Sequence, residues 1–390
     1  MNGWKEAKLS DVAVIERKSI APENIPIDSV LLGLEHLDGQ GNIEVSKLVK
    51  GTEIRSAKFK FSDQHILYGK LRPYLRKIAM PRFAGVCSTD ILPIRPDTSV
   101  IHKGYLYRYL RQQEMVDLAT TRSSGANLPR ISPKILEDFP ICFPPIEEQR
   151  RIAAILDKAD AIRQKRKSAL TLADTFLRAT FLDMFGDPVT NPMGWDTFEF
   201  SKAVRHSNNG LSRRRKTEEN VGNIVLRIQD IQKDCIKTNA PNRIQLDEAE
   251  KKRFILDQHD LLFIRVNGNR DYVGRCAVFD GSSESVAHND HIIRFKLNGL
   301  IDPYYASFLF NLKAGKELLS SVVKTSAGQY TVSQDGIKTL KVPVPPIEKQ
   351  KEFCCFINEF KQVKKQFNIA SNLDQDLFAS LSQRAFKGEL

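Results

Sequence analysis

One hexapeptide occurs twice in this chain, with a single change. Pro144-Pro145-Ile146-Glu147-Glu148-Gln149 returns 201 residues later as Pro345-Pro346-Ile347-Glu348-Lys349-Gln350, in a sequence of 390 residues. Each copy has the makings of a helix start. Proline is tolerated in the first helical turn, where its missing N–H costs nothing, and glutamate there complements the helix dipole. A helix start reused half a chain away implies two copies of one structural unit.

Further matches keep the same order. Gly3-Trp4 and Leu9-Ser10 correspond to Gly194-Trp195 and Phe200-Ser201, and Leu32–Leu37 corresponds to Leu226–Ile231. Asp63-Gln64-His65 corresponds to Asp257-Gln258-His259, and Ser124-Gly125 to Ala327-Gly328. The offset drifts only as insertions in surface loops would make it drift. Before each diproline, short apolar runs are broken by glycine, proline, asparagine or aspartate, which is strand punctuation. The stretches 103–118 and 303–320 instead carry their apolar residues at helical spacing.

After each diproline the pattern becomes that of a long helix. Steps of three and four from Ile152 pass Ile155, Ala159, Ile162, Arg166, Ala169, Ala173, Phe176 and Thr180, of which seven of nine are apolar. Steps from Phe353 pass Phe356, Phe360, Val363, Phe367, Ala370, Asp374, Leu377 and Leu381, eight of nine apolar. Such stripes resemble coiled-coil seams, so Ile152, Ile155, Ile162 and Phe176 are expected to pair with Phe353, Phe356, Phe360, Val363, Phe367 and Leu377. Arg166 and Asp374 interrupt the stripes and are expected to fix register or snorkel. Gly186 and Gly388 supply the helix stops.

The expected fold is therefore α+β. Two pseudo-repeated α/β domains, 1–145 and 187–345, are joined by two long antiparallel coiled-coil-like helices, 146–186 and 346–390, with pseudo-twofold symmetry.

Composition narrows the function. A net charge of +12 favours a polyanionic partner, and nucleic acid is the commonest. The six cysteines, at 87, 142, 235, 276, 354 and 355, form no CxxC pair, which points to a reducing compartment and no zinc site. With no apolar signal core and no apolar run near ~18 residues, the expected location is the cytoplasm, away from any membrane.

Catalytic patterns are missing from the sequence. It holds no GxxxxGK[ST], GxGxxG, HExxH or GxSxG, and no Asn/Asp-Pro-Pro-aromatic tetrad of an amino-methyltransferase. Asp247 with Glu250-Lys251-Lys252 faintly resembles a nuclease motif, and His288 with His291 faintly resembles a metal pair that lacks a third ligand. The expectation is a binder with no catalytic residue, no metal and no cofactor.

Arginine reads guanine and asparagine reads adenine, while lysine and surplus arginine neutralise phosphate. Turn-rich segments holding both types nominate Lys70, Arg72, Arg76, Lys77, Arg122, Asn127 and Arg130 in the first half. In the second half they nominate Arg213, Arg214, Arg215, Arg265, Asn267, Arg270, Arg275 and Lys324. Two other readings stand beside DNA recognition: a protein-only coiled-coil adaptor, and a nuclease or methyltransferase with degenerate motifs.

The chain resembles the specificity (S) subunit of type I restriction–modification systems over essentially its whole length. The resemblance is carried by Phe143-Pro144-Pro145-Ile146-Glu147-Glu148-Gln149-Arg150-Arg151-Ile152 with its second copy, and by Ile66-Leu67-Tyr68-Gly69-Lys70-Leu71-Arg72-Pro73-Tyr74-Leu75. Gly85-Val86-Cys87-Ser88-Thr89-Asp90 and the ending Arg384-Ala385-Phe386-Lys387-Gly388-Glu389-Leu390 add to it. The second copy departs from the pattern at Lys349 and Phe353.

The resemblance implies two target recognition domains that each read half of a bipartite asymmetric site in double-stranded DNA, with the helices setting the spacer. It also implies partners, two methyltransferase (M) subunits and two restriction (R) subunits, that carry the chemistry and its cofactors.

Overall fold

The computed structural model describes residues 3–44, 49–50, 56–212, 221–233, 235–238, 242–326 and 328–390. The chain divides into two compact units. One comprises Met1–Lys167 together with Asn368–Leu390, and the other comprises Ser168–Phe367.

Each unit is built on the same four-stranded antiparallel sheet. In the first, the strand order is Ala13–Ile15, Ile91–Pro96, Ile66–Gly69, Ile78–Ala79. In the second it is Val204–Asn209, Ile292–Leu297, Leu261–Ile264, Cys276–Val278. The inner strands Ile66–Gly69 and Leu261–Ile264 are buried at every residue. Strand side chains alternate between faces, so an unbroken apolar run means that both faces are covered. Ile66 and Tyr68 enter one core and Leu67 another, just as Leu261 and Phe263 enter one core and Leu262 and Ile264 another.

The second core of the first unit lies under a five-stranded sheet, Ser19–Ile20, Lys58–Phe61, Gly85–Cys87, Val30–Leu32 and Val49–Lys50. Its counterpart in the second unit has, among the described residues, three strands, Arg243–Ile244, Asn223–Leu226 and Val286–His288. In each a single parallel pair recurs, Val30–Leu32 with Gly85–Cys87 and Asn223–Leu226 with Val286–His288. A two-stranded ribbon leads into each long helix: Lys5–Lys8 with Pro140–Phe143, and Thr197–Glu199 with Lys341–Pro343.

The repeated hexapeptide joins helix to globule through its glutamine. Gln149 and Gln350 are fully buried. The Gln149 Oε1 accepts from the His102 N–H at 2.8 Å, and its Nε2 donates to the carbonyls of Pro144 at 2.9 Å and Val100 at 3.2 Å. Gln350 repeats this with the Asp302 N–H at 2.8 Å and the carbonyls of Pro345 at 2.7 Å and Leu300 at 3.4 Å. One amide satisfies three backbone groups, one buried and two half-buried, beside the helix start.

The long helices run Ile146–Phe185 and Ile347–Phe386. The first stops at Gly186, whose φ of +76° favours glycine and where a Cβ would come within 2.7 Å of Pro192. The indole N–H of Trp195 donates to the Phe185 carbonyl at 2.9 Å, which satisfies an end group of the helix.

Within each unit the two helices pair antiparallel. In the first unit Arg151 donates to the Leu390 carbonyl at 2.8 Å, the Arg163 guanidinium lies 4.6 Å from the centre of the Phe378 ring, and Arg166 meets Asp374 at 3.0 Å. In the second, Phe353 meets Phe181 and Phe185 edge-on, Phe356 meets Phe176, and Lys364 pairs with Asp174 at 2.7 Å.

The apolar stripe read from the sequence marks only part of this seam. Ile152 and Phe353 are buried, and Ile155, Phe356 and Phe360 are partly buried. Phe176 touches Phe356 but is largely exposed, while Ile162, Val363, Phe367 and Leu377 stand 42 to 55% exposed. The stripe counted apolar residues alone. Mid-helix, charged side chains and one ring join the partly buried Ala169, Ala173 and Ala370 of the stripe: Arg163, Arg166, Asp374 and Phe378 in the first unit and Asp174 and Lys364 in the second.

Candidate nucleic-acid interface

In the first unit the segments 70–76 and 122–131 are laced together by backbone hydrogen bonds. The Arg72 N–H donates to the Pro129 carbonyl at 2.7 Å, and the Ile131 N–H donates to the Lys70 carbonyl at 3.0 Å. Ser124 and Arg130 exchange bonds of 3.0 and 2.8 Å. This lacing gathers Lys70, Arg72, Arg76 and Arg130 at one edge. Arg72, Arg122, Asn127 and Arg130 are exposed there, and Lys70, Arg76 and Lys77 are half-buried.

Asp90, which ends the Gly85–Asp90 motif, lies between two of these cations, 3.4 Å from Lys70 and 3.7 Å from Arg130. It aligns them while leaving the edge net positive. Arg76 donates to the Gln113 side chain, which braces the loop on the helix Gln113–Thr121. Lys77 is turned inward and donates to the Leu34 carbonyl at 2.6 Å.

The second unit laces the corresponding segments as strands. Val266–Asn267 pairs with Gln329–Thr331, which pairs with Lys324–Ser326. Arg265, Asn267 and Lys324 are thereby brought to one edge. The Arg265 guanidinium donates to the Asp290 carbonyl at 3.1 Å, and the Asn267 side chain accepts from the Asn269 N–H at 2.8 Å, closing a turn. Arg270 is exposed, and the Arg275 guanidinium lies 4.2 Å from the centre of the Tyr272 ring. Arg213, Arg214 and Arg215 lie outside the described residues.

Two aromatic rings stand among these cations and amides. Tyr74 and Tyr272 project from these same loops, and only their position between basic residues signalled them. Arg72 and Arg76, on either side of Pro73–Leu75, have φ of +51° and +53°, a left-handed conformation that non-glycine residues seldom adopt.

The resemblances to catalytic motifs resolve into structural roles. Asp247 caps the helix Glu248–Phe254: its carboxylate accepts from the Glu250 N–H at 2.7 Å, while Glu250 accepts from the Asp247 N–H at 3.1 Å. His288 is completely buried, with Nδ1 3.2 Å from the Phe254 carbonyl, whereas His291 is exposed. Among the described residues no group of three or more His, Cys, Asp or Glu could hold a metal ion. Among them also, no helix is long and apolar enough to cross a membrane.

Comparison with known proteins bears on this geometry. The family model for the type I restriction modification DNA specificity domain matches residues 1–172 and again 192–370. The EcoKI specificity subunit of Escherichia coli K12 is 27% identical over 314 residues, covering 76% of this chain and 67% of its own. The StySPI specificity subunit of Salmonella potsdam is 26% identical over 313 residues, with the same coverage of each. The solved S subunit of a type I restriction-modification system from M. genitalium shares the fold, with a TM-score of 0.58 at 13% identity over 99% of this chain and 96% of that one.

Proposed function

This chain belongs to the type I restriction–modification DNA specificity family, and from that premise we propose how it divides the work of choosing a DNA site. Each recognition domain, 1–145 and 187–345, reads one half of a bipartite asymmetric sequence in double-stranded DNA. The chain itself performs no reaction. Methylation and cleavage belong to two methyltransferase subunits and two restriction subunits assembled on it, in the cytoplasm.

The observation that carries this reading is the repeated frame with unlike edges. Both units share one sheet order, one glutamine-locked helix start and one pair of laced loops, yet the loops differ in length and in charged residues. A shared frame sets where a base-reading loop stands, and unlike loops give it a different sequence to read. Lys70, Arg72, Arg76, Arg122, Asn127 and Arg130 serve the first half-site, and Arg270, Arg275, Asn267 and Lys324 the second.

The long helices set the unspecified spacer and receive the methyltransferase subunits. In support, each unit leaves large apolar residues exposed on its long helices: Ile162, Ile369, Leu373 and Leu377 in the first, and Leu172, Phe176, Leu182, Val363 and Phe367 in the second. Two such sets suit two partner subunits, since exposed apolar groups on a helix mark a place of association.

Domain exchange tests the division of labour. Replacing residues 1–145 with those of another family member is expected to change one half of the methylated motif in the host genome and leave the other half and the spacer alone. A change in both halves, or in neither, would refute modular reading.

A further inference from the structure

Resting on the DNA-reading role proposed above, we propose that Tyr74 and Tyr272 are contact residues for DNA, one in each unit. Their rings pack against base or sugar edges of the two half-sites.

The two tyrosines occupy the same place in the frame. The Lys77 carbonyl accepts from the Gly69 N–H, closing the first loop onto its strand, and the Arg275 carbonyl accepts from the Ile264 N–H, closing the second. Each tyrosine lies three residues before that closing carbonyl. Between the two comes a residue with left-handed backbone, Arg76 with φ +53° in the first unit and Gly274 with φ +74° in the second. Loops of different length and composition thus keep one feature in common, an aromatic ring at one fixed position.

That ring does not serve the core. Tyr74 is 50% exposed and Tyr272 40%. Pro73, beside Tyr74, is buried, and Val273, beside Tyr272, is 4% exposed, so in each loop a neighbour anchors the chain and leaves the ring outside. In the first unit two arginines hold strained backbone on either side of the tyrosine, and Arg76 is tied to Gln113. A presented ring on a braced loop loses little conformational freedom on binding.

The surroundings select nucleic acid as the occupant. Arg72 and Arg76 flank the first tyrosine along its loop, with Arg130 on the segment laced to Arg72, and Arg270 and Arg275 flank the second, with the Arg275 guanidinium already over the ring face. A π-face bordered by cations fits a base or sugar edge whose phosphates those cations neutralise.

The test uses the full chain with its methyltransferase partner on a duplex carrying the motif the complex methylates. With 5-iododeoxyuridine substituted for thymidine one position at a time, photo-cross-links are expected at Tyr74 from one half-site and at Tyr272 from the other. Tyr74→Ala is expected to weaken binding by roughly 5- to 150-fold, the span of one lost aromatic contact to nucleic acid. The dependence of log K on log salt should keep its slope, because no phosphate contact is lost. Tyr74→Phe keeps the π-face and is expected to bind within about twofold of the unsubstituted chain.

Unchanged binding by Tyr74→Ala, a Tyr74→Phe variant as weak as the alanine one, a reduced salt slope, or cross-links at neither tyrosine would each overturn the proposal. An unsubstituted complex with no sequence preference would instead overturn the DNA-reading role itself. Because Tyr74 is exposed, its variants should unfold like the unsubstituted chain, and Tyr272→Ala provides the same measurement in the other unit.

Discussion

Gln149 shows why a motif can be plain in a sequence while its purpose is hidden. The hexapeptide reads as a helix start from its prolines and glutamates, which act on their own turn. Its glutamine acts on the backbone of residues 100–102, almost fifty positions earlier, and no local pattern reveals that reach. Gln149→Leu keeps the volume and strands one buried carbonyl, that of Pro144, with the half-buried His102 N–H and Val100 carbonyl partly open to water. It should cost about 2–4 kcal/mol, since each buried polar group left unpaired costs ~1–3 kcal/mol. Amide hydrogen exchange is the suitable measurement, because protection should fall in the first unit and hold in the second.

His288 gives the residue scale a pH dependence. Burial, helped by the Arg294 charge, lowers its pKa to about 3, so the folded chain holds it neutral. The unfolded chain takes up a proton below about 6.5. The stability this neutral ring supports is therefore complete above about pH 6.5 and is lost as pH falls toward 3, by an amount on the order of a few kcal/mol. Asp260, 3.6 Å from Arg294 and raised by burial to about 6, acts in the opposite direction, its contribution fading as pH rises through that value. His288→Leu should flatten the acid-side loss of stability in the second unit, followed by urea unfolding from pH 7 to 4. An unchanged slope would show that the histidine is not the source.

At the scale of elements, the sequence revealed the helices' existence, starts and stops more fully than their faces. Prolines, glutamates and Gly186 act within one turn and are legible. Which side of a helix meets its partner depends on residues half a helix away in a different segment. Arg166 and Asp374 looked like two separate faults in two apolar stripes, yet they are partners at 3.0 Å, each the reason for the other. A polar pair inside a helix–helix seam sets register at some cost in stability. Arg166→Asp should destabilise the first unit by ~1 kcal/mol through like-charge repulsion. The double variant Arg166→Asp with Asp374→Arg should recover most of that loss in a double-mutant cycle. The same logic explains the loops: cations could be counted in advance, but only the lacing of 70–76 to 122–131 shows that Lys77 turns inward while Arg72 faces out.

For the whole molecule, the repeat was legible because it is carried by short matches in a fixed order. The division into units was not, because the first unit takes its last segment from the far end of the sequence. Asn368–Leu390 adds Ala385 to the first unit's core and sets Phe386 edge-on to Tyr105 and Tyr109 at 5.3 and 5.5 Å. Deleting 368–390 should therefore open residues 1–167 to proteolysis and leave 168–367 resistant. Equal sensitivity of both would contradict this partition.

That arrangement also has a timetable. On the ribosome residues 1–167 emerge ahead of the second unit, but the side chains of 368–390 that close their core are made only after it. At ~5–20 residues per second the rest of the chain takes roughly 10–45 s to follow. Throughout that interval Tyr105 and Tyr109 lack their final partner, while the second unit can already close. Of the two units, the one begun earlier is completed later, and it is the one a nascent chain leaves longer exposed to chaperones and proteases.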